Sequence, residues 1–470
     1  MKILFITPPN MRFRGVMTNS FALGPAYLAA VLKENHDIRY YEAEAMSIEE
    51  IDKNKKIYSI YSPQLTSHSL YVKALQNDSH SIWKEIESVI SSFSPDVVGL
   101  STLTSSYPAA LHIAKMVKKN TFAKVIMGGV HPTILAQEVA NNEYVDFVVR
   151  GEGEITLPQL ISHLEKGTDP IDVPGLTFKK DGKIISTPDG AFVEDLNTIP
   201  FPDTSSLLFP ERFSNNSFTN ILAGRGCTAS CKFCCNHVLW RKKYRMRSVE
   251  NIFEELVGIY NKYGKTILFM DDNLMASPTL LFKLCEKIQV HIPDISWRCQ
   301  SRIDTLTSEK LAISKESGCW DIKIGVESGS DRILNYLNKR LSVKQILECS
   351  EMILKSGIQF SANFMFGFME ETWEDMQLTL QLIRNIPANS IAVSKFIPLP
   401  GTELYDDAVK EGIFSEGSIK YEHLDLFSTY YHYPKHVSRE KFYEFYLEIH
   451  QLVDEKNKKT RTGPPKPNKD

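Results

Sequence analysis

Between Met1 and about residue 165, apolar runs alternate with amphipathic segments: Ile3 to Ile6, Ala22 to Lys33, Val97 to Leu100, Tyr107 to Lys119, Val125 to Met127, Phe147 to Val149, and about Leu157 to Leu164. Short continuous apolar runs read as strands covered on both faces, and the longer periodic segments between them as helices. The alternation predicts an α/β domain, doubly wound, with ligands gathered beyond the carboxyl ends of its parallel strands. The stretch from about Glu50 to Ser79 is polar and irregular and reads as an excursion over the surface. Residues 166–217 are rich in Pro, Gly and Asp, with a hairpin expected around Lys180 to Lys183, and read as a connector.

A second alternating series fills residues 218–405. Its candidate strands lie near Ile221, Ile267 to Met270, Ile295 to Cys299, Ile322 to Val326, Ile358 to Phe366 and Ile391 to Phe396. Between the first two, Ser248 to Tyr263 carries Ile252, Phe253, Leu256, Ile259 and Tyr260 on one helical face, with Ser248 as N-cap. Strand and helix units in this order predict a partial (β/α)6 barrel, an open version of the eightfold one. Residues 406–470 read as a small, mostly helical C-terminal region: an aromatic segment, Phe427 to Tyr433, a helix around Glu440 to Val453, and a basic, proline-containing tail from Lys456 expected to be disordered.

Composition narrows the function. The 470 residues, 43% hydrophobic and 24% charged, suffice for at least two cores. A net charge of −3 supplies no global basic field for nucleic acid, so a small-molecule substrate is favoured. The opening MKILFITPPN has a short apolar run closed by Pro8 and Pro9, a first strand rather than a signal peptide. No stretch approaches the roughly 20 apolar residues of a membrane span, so a cytoplasmic protein with no membrane partner is expected.

None of the eight cysteines precedes position 227; Cys227, Cys231 and Cys234 form a CxxxCxxC run after a Gly224-Arg225-Gly226 turn, while Cys235, Cys285, Cys299, Cys319 and Cys349 are scattered. A disulfide framework does not suit a large chain without a secretion signal. A cubane [4Fe-4S] cluster normally takes four thiolates, so three on one tight loop leave an iron open to the amino and carboxylate groups of a cosubstrate. Zinc would want a fourth ligand, for which His237 or Cys235 stand near, but Cys235 directly follows Cys234 and should point elsewhere.

At this point a family resemblance can be stated: residues from about 218 to 405 resemble the radical S-adenosylmethionine (radical-SAM) superfamily. AGRGCTASCKFCCN is similar to its signature, with Phe233 at the usual aromatic position. The resemblance implies that MDDNLM offers Asp271 and Asp272 to the methionine amine, that Arg302 of CQSRID meets the methionine carboxylate, and that Glu327 of GVESGS holds the ribose or amine. It further implies that PLPGT, with Pro400 and Gly401, receives the adenine on its backbone. The basic run Arg241 to Arg247 is a solvated face or, alternatively, brings Arg245 or Arg247 to an anionic substrate group.

The N-terminal half adds VIMGGVHPT, with Gly128 and Gly129 where backbone must approach a bulky ligand, and the turn Arg150-Gly151-Glu152-Gly153-Glu154. Such turns fit flavodoxin-like or Rossmann-like proteins of many kinds. Together with PPN at Pro8, LGPAYLAAVL from Leu23 and VGLSTLTSSYP from Val98, they resemble the cobalamin-binding domain preceding the barrel in one radical-SAM branch. The implied cobalamin contacts are Pro9, Gly24, Ser101, Thr102, Leu103, Thr104, Gly128, Gly129, His131, Pro132, Gly151, Glu152 and Gly153. No DxHxxG stands after the first strand to ligate cobalt from below; Leu103, Thr104 or Tyr107 would sit under the corrin, and His131 is read as a polar loop residue near the nucleotide tail.

The resemblance thus implies a class B radical-SAM methyltransferase using a [4Fe-4S] cluster, S-adenosylmethionine and cobalamin as methylcobalamin, with an external one-electron reductant such as flavodoxin or ferredoxin. A 5′-deoxyadenosyl radical would abstract hydrogen from an unactivated carbon, which then takes the cobalamin's methyl group. The alternatives are a non-methylating cobalamin radical-SAM cyclase or ring-rearranging enzyme and a non-catalytic cobalamin or redox sensor. A tRNA methylthiotransferase would need further upstream cysteines. Tyr421, Tyr430, Tyr431 and His432 are candidates to close the barrel mouth, with Tyr430 and Tyr431 as substrate contacts.

Overall fold

The computed structural model describes residues 1–18, 21–53, 67–414 and 419–460. The chain forms two compact units: one gathers the described residues through Ser214 together with Ile419–Ser428, and the other the remainder from Asn215 onward. Among the described residues no helix is long and apolar enough to cross a membrane.

In the first unit the strands are β1 (Lys2–Thr7), β2 (Asp37–Glu42), β3 (Val97–Ser101), β4 (Lys124–Gly128), β5 (Phe147–Val149), β6 (Leu176–Lys180) and β7 (Lys183–Ser186). Their order in the sheet is β2-β1-β3-β4-β5-β6-β7. The first five are parallel, and β6 and β7 are added antiparallel. Ile3, Leu4, Phe5 and Ile6 are all buried, the consequence of helices on both faces. The 2-1-3-4-5 order is the flavodoxin-like one, whose switch point lies where the chain departs in opposite directions from β1 and β3. Residues 176–186 therefore correct the reading of 166–217 as a connector, because the hairpin extends the sheet. The predicted surface excursion is also corrected where it is described. His68, Tyr71 and Ala74 of the helix His68–Leu75 are buried, while residues 54–66 lie outside the described ones.

The second unit opens with β8 (Asn220–Ile221), followed by β9 (Gly224–Gly226) and β10 (Tyr244–Met246), an antiparallel ribbon flanking the cysteine loop. Then come β11 (Thr266–Phe269), β12 (Ser296–Ser301), β13 (Cys319–Glu327), β14 (Gln359–Phe366) and β15 (Ser390–Lys395). These form a six-stranded parallel sheet in the order β15-β14-β13-β12-β11-β8, the open barrel anticipated from the pattern. Burial alternates strictly along β14, every second residue turning to the more buried face. Ile267, Cys299, Ile322, Phe360 and Phe364 join helix residues such as Ile252, Leu256 and Leu284 in one core. Ser248 caps the helix Val249–Lys262 by accepting from the Asn251 N–H. The final helix runs from Arg439 to Thr460. It therefore takes in the first residues of the segment expected to be disordered; residues 461–470 lie outside those described.

Candidate cluster and cobalamin sites

The cysteine loop follows β9 for a steric reason. Gly226 has φ +99°, and a Cβ there would lie 2.1 Å from the carbonyl oxygen of Lys243, the residue before the paired strand, so only glycine lets the ribbon close. The loop is then tied down by main chain: the Cys234 N–H donates to the Cys231 carbonyl (3.1 Å) and the Lys232 N–H to the Leu337 carbonyl (3.0 Å). Asn338 adds its side-chain amide to the Ser230 carbonyl (2.8 Å). Cys231 is buried, with Cys227 and Cys234 partly so. Burial raises the Cys227 thiol and pushes Cys234 up to about 12, so these sulfurs become thiolates only with a strong positive partner such as iron. Among the described residues no three His, Cys, Asp or Glu side chains converge as they would around a single ion. A four-iron cluster instead asks for thiolates on separate irons, and a three-thiol loop fits it.

The residues expected around S-adenosylmethionine separate into two groups. Asp271 is fully buried, and its two carboxylate oxygens accept the Ala223 and Gly224 N–H groups (2.9 and 2.7 Å), which anchors the ribbon; burial pushes it up to about 7. This corrects its assignment as a ligand contact, whereas Asp272 beside it is exposed. Arg302 leaves the end of β12 with one N–H on the Cys231 sulfur (3.5 Å), one on the Lys339 carbonyl (3.1 Å), and a pair on Asp304. Glu327, at φ +70°, has its carboxylate held by Lys339 at 2.8 Å, both side chains buried, and Lys339 in turn lies 5.8 Å over the Phe233 ring. Pro400 and Gly401 lie in the loop after β15, Gly401 with φ +81°, and Thr402 caps the helix Glu403–Lys410.

Of the basic run, Arg247 is buried against Glu255, Asn251 and the Leu222 carbonyl, which corrects its reading as a substrate contact. Arg245 is buried with its guanidinium 5.6 Å from the Trp240 ring. Sequence reasoning missed Asn273, whose buried side-chain oxygen accepts from Ser301, the Arg302 N–H and Thr305 and so clamps two strand ends. It also missed Asn338 and Lys339; their signal is the Asn-Lys-Arg turn, in which Asn338 and Arg340 have positive φ.

In the first unit the loops after β3 and β4 form a cradle. Gly129 has φ +100°, and a Cβ there would lie 2.8 Å from the Thr102 carbonyl oxygen. Thr102 donates its N–H to the Gly128 carbonyl (2.8 Å), and Leu103 is 58% exposed, an apolar surface at the carboxyl edge suited to a corrin face. Ser101 and Gly128 are half-buried and Gly24, at the start of the helix Leu23–Leu32, is exposed. Pro9 is buried in a loop whose Asn10, Met11 and Arg12 N–H groups are all accepted by Glu44. Gly151 is exposed with φ +76°, and Gly153 opens a helix to Lys166, packed beside Leu28. Glu152 is buried, its carboxylate accepting the Val193 N–H (2.7 Å), so it fixes the chain rather than facing a ligand.

The reading of His131 as a polar loop residue is also corrected. His131 is fully buried with Pro132; its ring lies 4.2 Å from Tyr107 and 4.8 Å from Tyr421, its Nδ1 is 3.3 Å from the Thr104 hydroxyl, and burial pushes it down to about 3. It is a neutral, enclosed imidazole rather than a polar loop residue. The aromatic group expected at the barrel mouth divides accordingly. Tyr421 belongs to the first unit, where it donates to Glu138 at 2.7 Å, and Asp425 pairs there with the buried Arg14, which lies between the Tyr71 and Phe427 rings. Tyr430 and Tyr431 belong to the second unit and, with Phe414, His432 and Arg439, line an open cavity of about 430 Å³.

Comparison with known proteins agrees with both halves. Residues 221–383 match the radical SAM superfamily model and residues 64–161 the B12 binding domain model. The chain belongs to the cobalamin-dependent radical-SAM family. An uncharacterized methyltransferase of Pyrococcus horikoshii is 28% identical over 466 residues, covering 96% of this chain and 94% of its own. An anaerobic magnesium-protoporphyrin IX monomethyl ester cyclase of Rubrivivax gelatinosus is 26% identical over 72% of this chain, which spans 62% of that protein's length. Among solved structures, the radical S-adenosylmethionine methyltransferase TsrM from Kitasatospora setae, with cobalamin and a [4Fe-4S] cluster bound, shares the fold with a TM-score of 0.65. It is 14% identical, over 87% of this chain and 78% of its own. As a radical-SAM enzyme with a B12 binding domain, the chain works with a [4Fe-4S] cluster, S-adenosylmethionine and cobalamin.

Proposed function

We propose that the chain is a cobalamin-dependent radical-SAM methyltransferase that methylates an unactivated carbon of a small-molecule or natural-product intermediate. The observation that carries this reading is the Arg302 guanidinium on the Cys231 sulfur at the carboxyl edge of the open barrel, in a chain that also holds a corrin-type cradle. When bound, the cluster supplies the electron that cleaves S-adenosylmethionine and the cobalamin carries the methyl group to be transferred.

The chain's own residues bind and orient. Cys227, Cys231 and Cys234 hold the cluster, and Arg302, fixed by Asp304 and the Lys339 carbonyl, presents positive charge beside it to a carboxylate. Exposed Asp272 is the acceptor for an amine, and the Pro400–Gly401 backbone the seat of the adenine. In the first unit Leu103 and the Gly128–Gly129 turn receive the corrin. His131 is enclosed between Tyr107 and Tyr421. The electron comes from an external one-electron donor such as flavodoxin or ferredoxin.

The test is product mass with S-adenosylmethionine carrying a labelled methyl group. One labelled methyl per product supports methyl transfer; 5′-deoxyadenosine without label in product refutes it and favours the cyclase reading, for which the Rubrivivax relative speaks.

A further inference from the structure

The two faces of the second unit's sheet differ. Cys299, Ile322, Ile324, Ala362 and Phe364 join the helix-covered core. The alternating positions put Gln300, Lys323 and Asn363 on the opposite face of three adjacent strands, each half-buried. Gln300 pairs in register with Lys323, Lys323 with Ser361, and Asn363 with Gly325. The three side chains thus form one patch below the carboxyl edge.

The neighbouring polar groups on this face have partners. Glu327 and Lys339 are paired, Asp321 accepts from the Ser361 hydroxyl at 2.8 Å, and the Arg298 guanidinium lies 5.8 Å over the Trp320 ring. Gly325, between the patch and the Glu327–Lys339 pair, has no room for a side chain: a Cβ would lie 2.1 Å from the Glu327 carboxylate. Among the described residues, the side chains of Gln300, Lys323 and Asn363 have no hydrogen bond or ion pair, their only hydrogen bonds being those of the strand backbones. One ammonium and two amides on one sheet face, none engaged by a protein side chain, offer a ligand a convergent set of donors.

We propose that this patch is a substrate subsite for an anionic, oxygen-bearing group, a carboxylate or phosphonate, with Lys323 pairing its charge and Gln300 and Asn363 donating from either side. The proposal rests on the methyltransferase reading and names the substrate class. The donors match the chemistry: an ammonium offers three N–H groups and each amide two, for the acceptor oxygens of such a group.

The test uses anaerobically reconstituted holoenzyme of the wild type and of Lys323→Met and Lys323→Gln, the second guarding against misfolding of the first. Methylphosphonate and acetate are titrated calorimetrically with ethanol as neutral control, and S-adenosylmethionine and cobalamin affinities are measured in parallel. Expected is anion binding to the wild type that weakens at least tenfold in both variants, about 1.4 kcal/mol, with both cofactor affinities unchanged. The proposal falls if neither anion binds the wild type, if the variants bind them equally well, or if S-adenosylmethionine affinity drops tenfold instead, which would assign the patch to the cosubstrate. Formation of 5′-deoxyadenosine by the wild type without substrate reads the radical-SAM chemistry independently, so failure of the subsite and failure of the proposed function are told apart.

Discussion

Replacing Asp425 by Ala tests how far the first unit depends on a segment some four hundred residues from its first strands. Arg14 is 0% and Asp425 3% side-chain exposed, and they form an ion pair. Among the described residues the guanidinium Nε and Nη2 have no hydrogen-bond partner, and Asp425 is the one carboxylate at hydrogen-bond distance. Removing one member of a buried pair leaves an uncompensated charge and costs about 3–5 kcal/mol. Glu44 lies near enough to act on its surroundings through charge, which sets the expectation toward the lower end. Amide hydrogen exchange of the helix Tyr107–Asn120 is the suitable assay, because it reads opening of the first unit alone where a two-unit chain does not melt as one. Protection should fall in Asp425→Ala and recover in Arg14→Met/Asp425→Leu, where neither charge of the pair is left without the other. A loss below about 1 kcal/mol in the single variant would place the pair among weak surface ones and refute the reasoning.

Glu371, buried and with its carboxylate accepting the Gly367 and Phe368 N–H groups, is pushed by burial from 4.5 up to about 8. Its folded-state value lies above its unfolded one, so its contribution is full below about 4.5 and is lost as pH rises through 8; Glu371→Gln should remove a slope of up to about 1.4 kcal/mol per pH unit, and identical pH profiles would contradict this. Gly226→Ala should cost about 1–3 kcal/mol through backbone strain and lower iron bound per chain, since its Cβ meets the Lys243 carbonyl; full iron incorporation would be the contrary result. Lys339→Met should destabilise the second unit by about 3–5 kcal/mol by leaving Glu327 buried alone, with Glu327→Gln added to it restoring much of the loss in urea unfolding.

The alternation of apolar runs was enough to read both sheets, because parallel strands covered by helices leave a strong one-dimensional trace, and Ser248 capped its helix as its position suggested. What the pattern could not carry was pairing between distant segments. The hairpin Leu176–Ser186 was visible, but nothing local said it would join the sheet edge through β5. Ile419–Ser428 has no signal of its own, since its place is decided by Arg14, Tyr107 and Glu138, far away in sequence. The site shows the same division. The three cysteines are adjacent in sequence and so were legible. Asp271 and Asp272 are indistinguishable as letters, yet strand direction buries the first under Ala223 and Gly224 and leaves the second exposed. Arg247 likewise reads as a surface cation until Glu255, two turns on, is seen to claim it.

The central claim is that Cys227, Cys231 and Cys234 hold a cluster that works with a corrin bound by the same chain. The direct measurement is anaerobic reconstitution with iron, sulfide and cobalamin, followed by electron paramagnetic resonance and assay for 5′-deoxyadenosine after adding S-adenosylmethionine and reductant. The account predicts a reduced [4Fe-4S] signal altered by S-adenosylmethionine, one cobalamin per chain and 5′-deoxyadenosine, with signal and product lost in Cys231→Ala while cobalamin stays bound. A Cys231→Ala protein that kept the signal and made 5′-deoxyadenosine at the wild-type rate would contradict it.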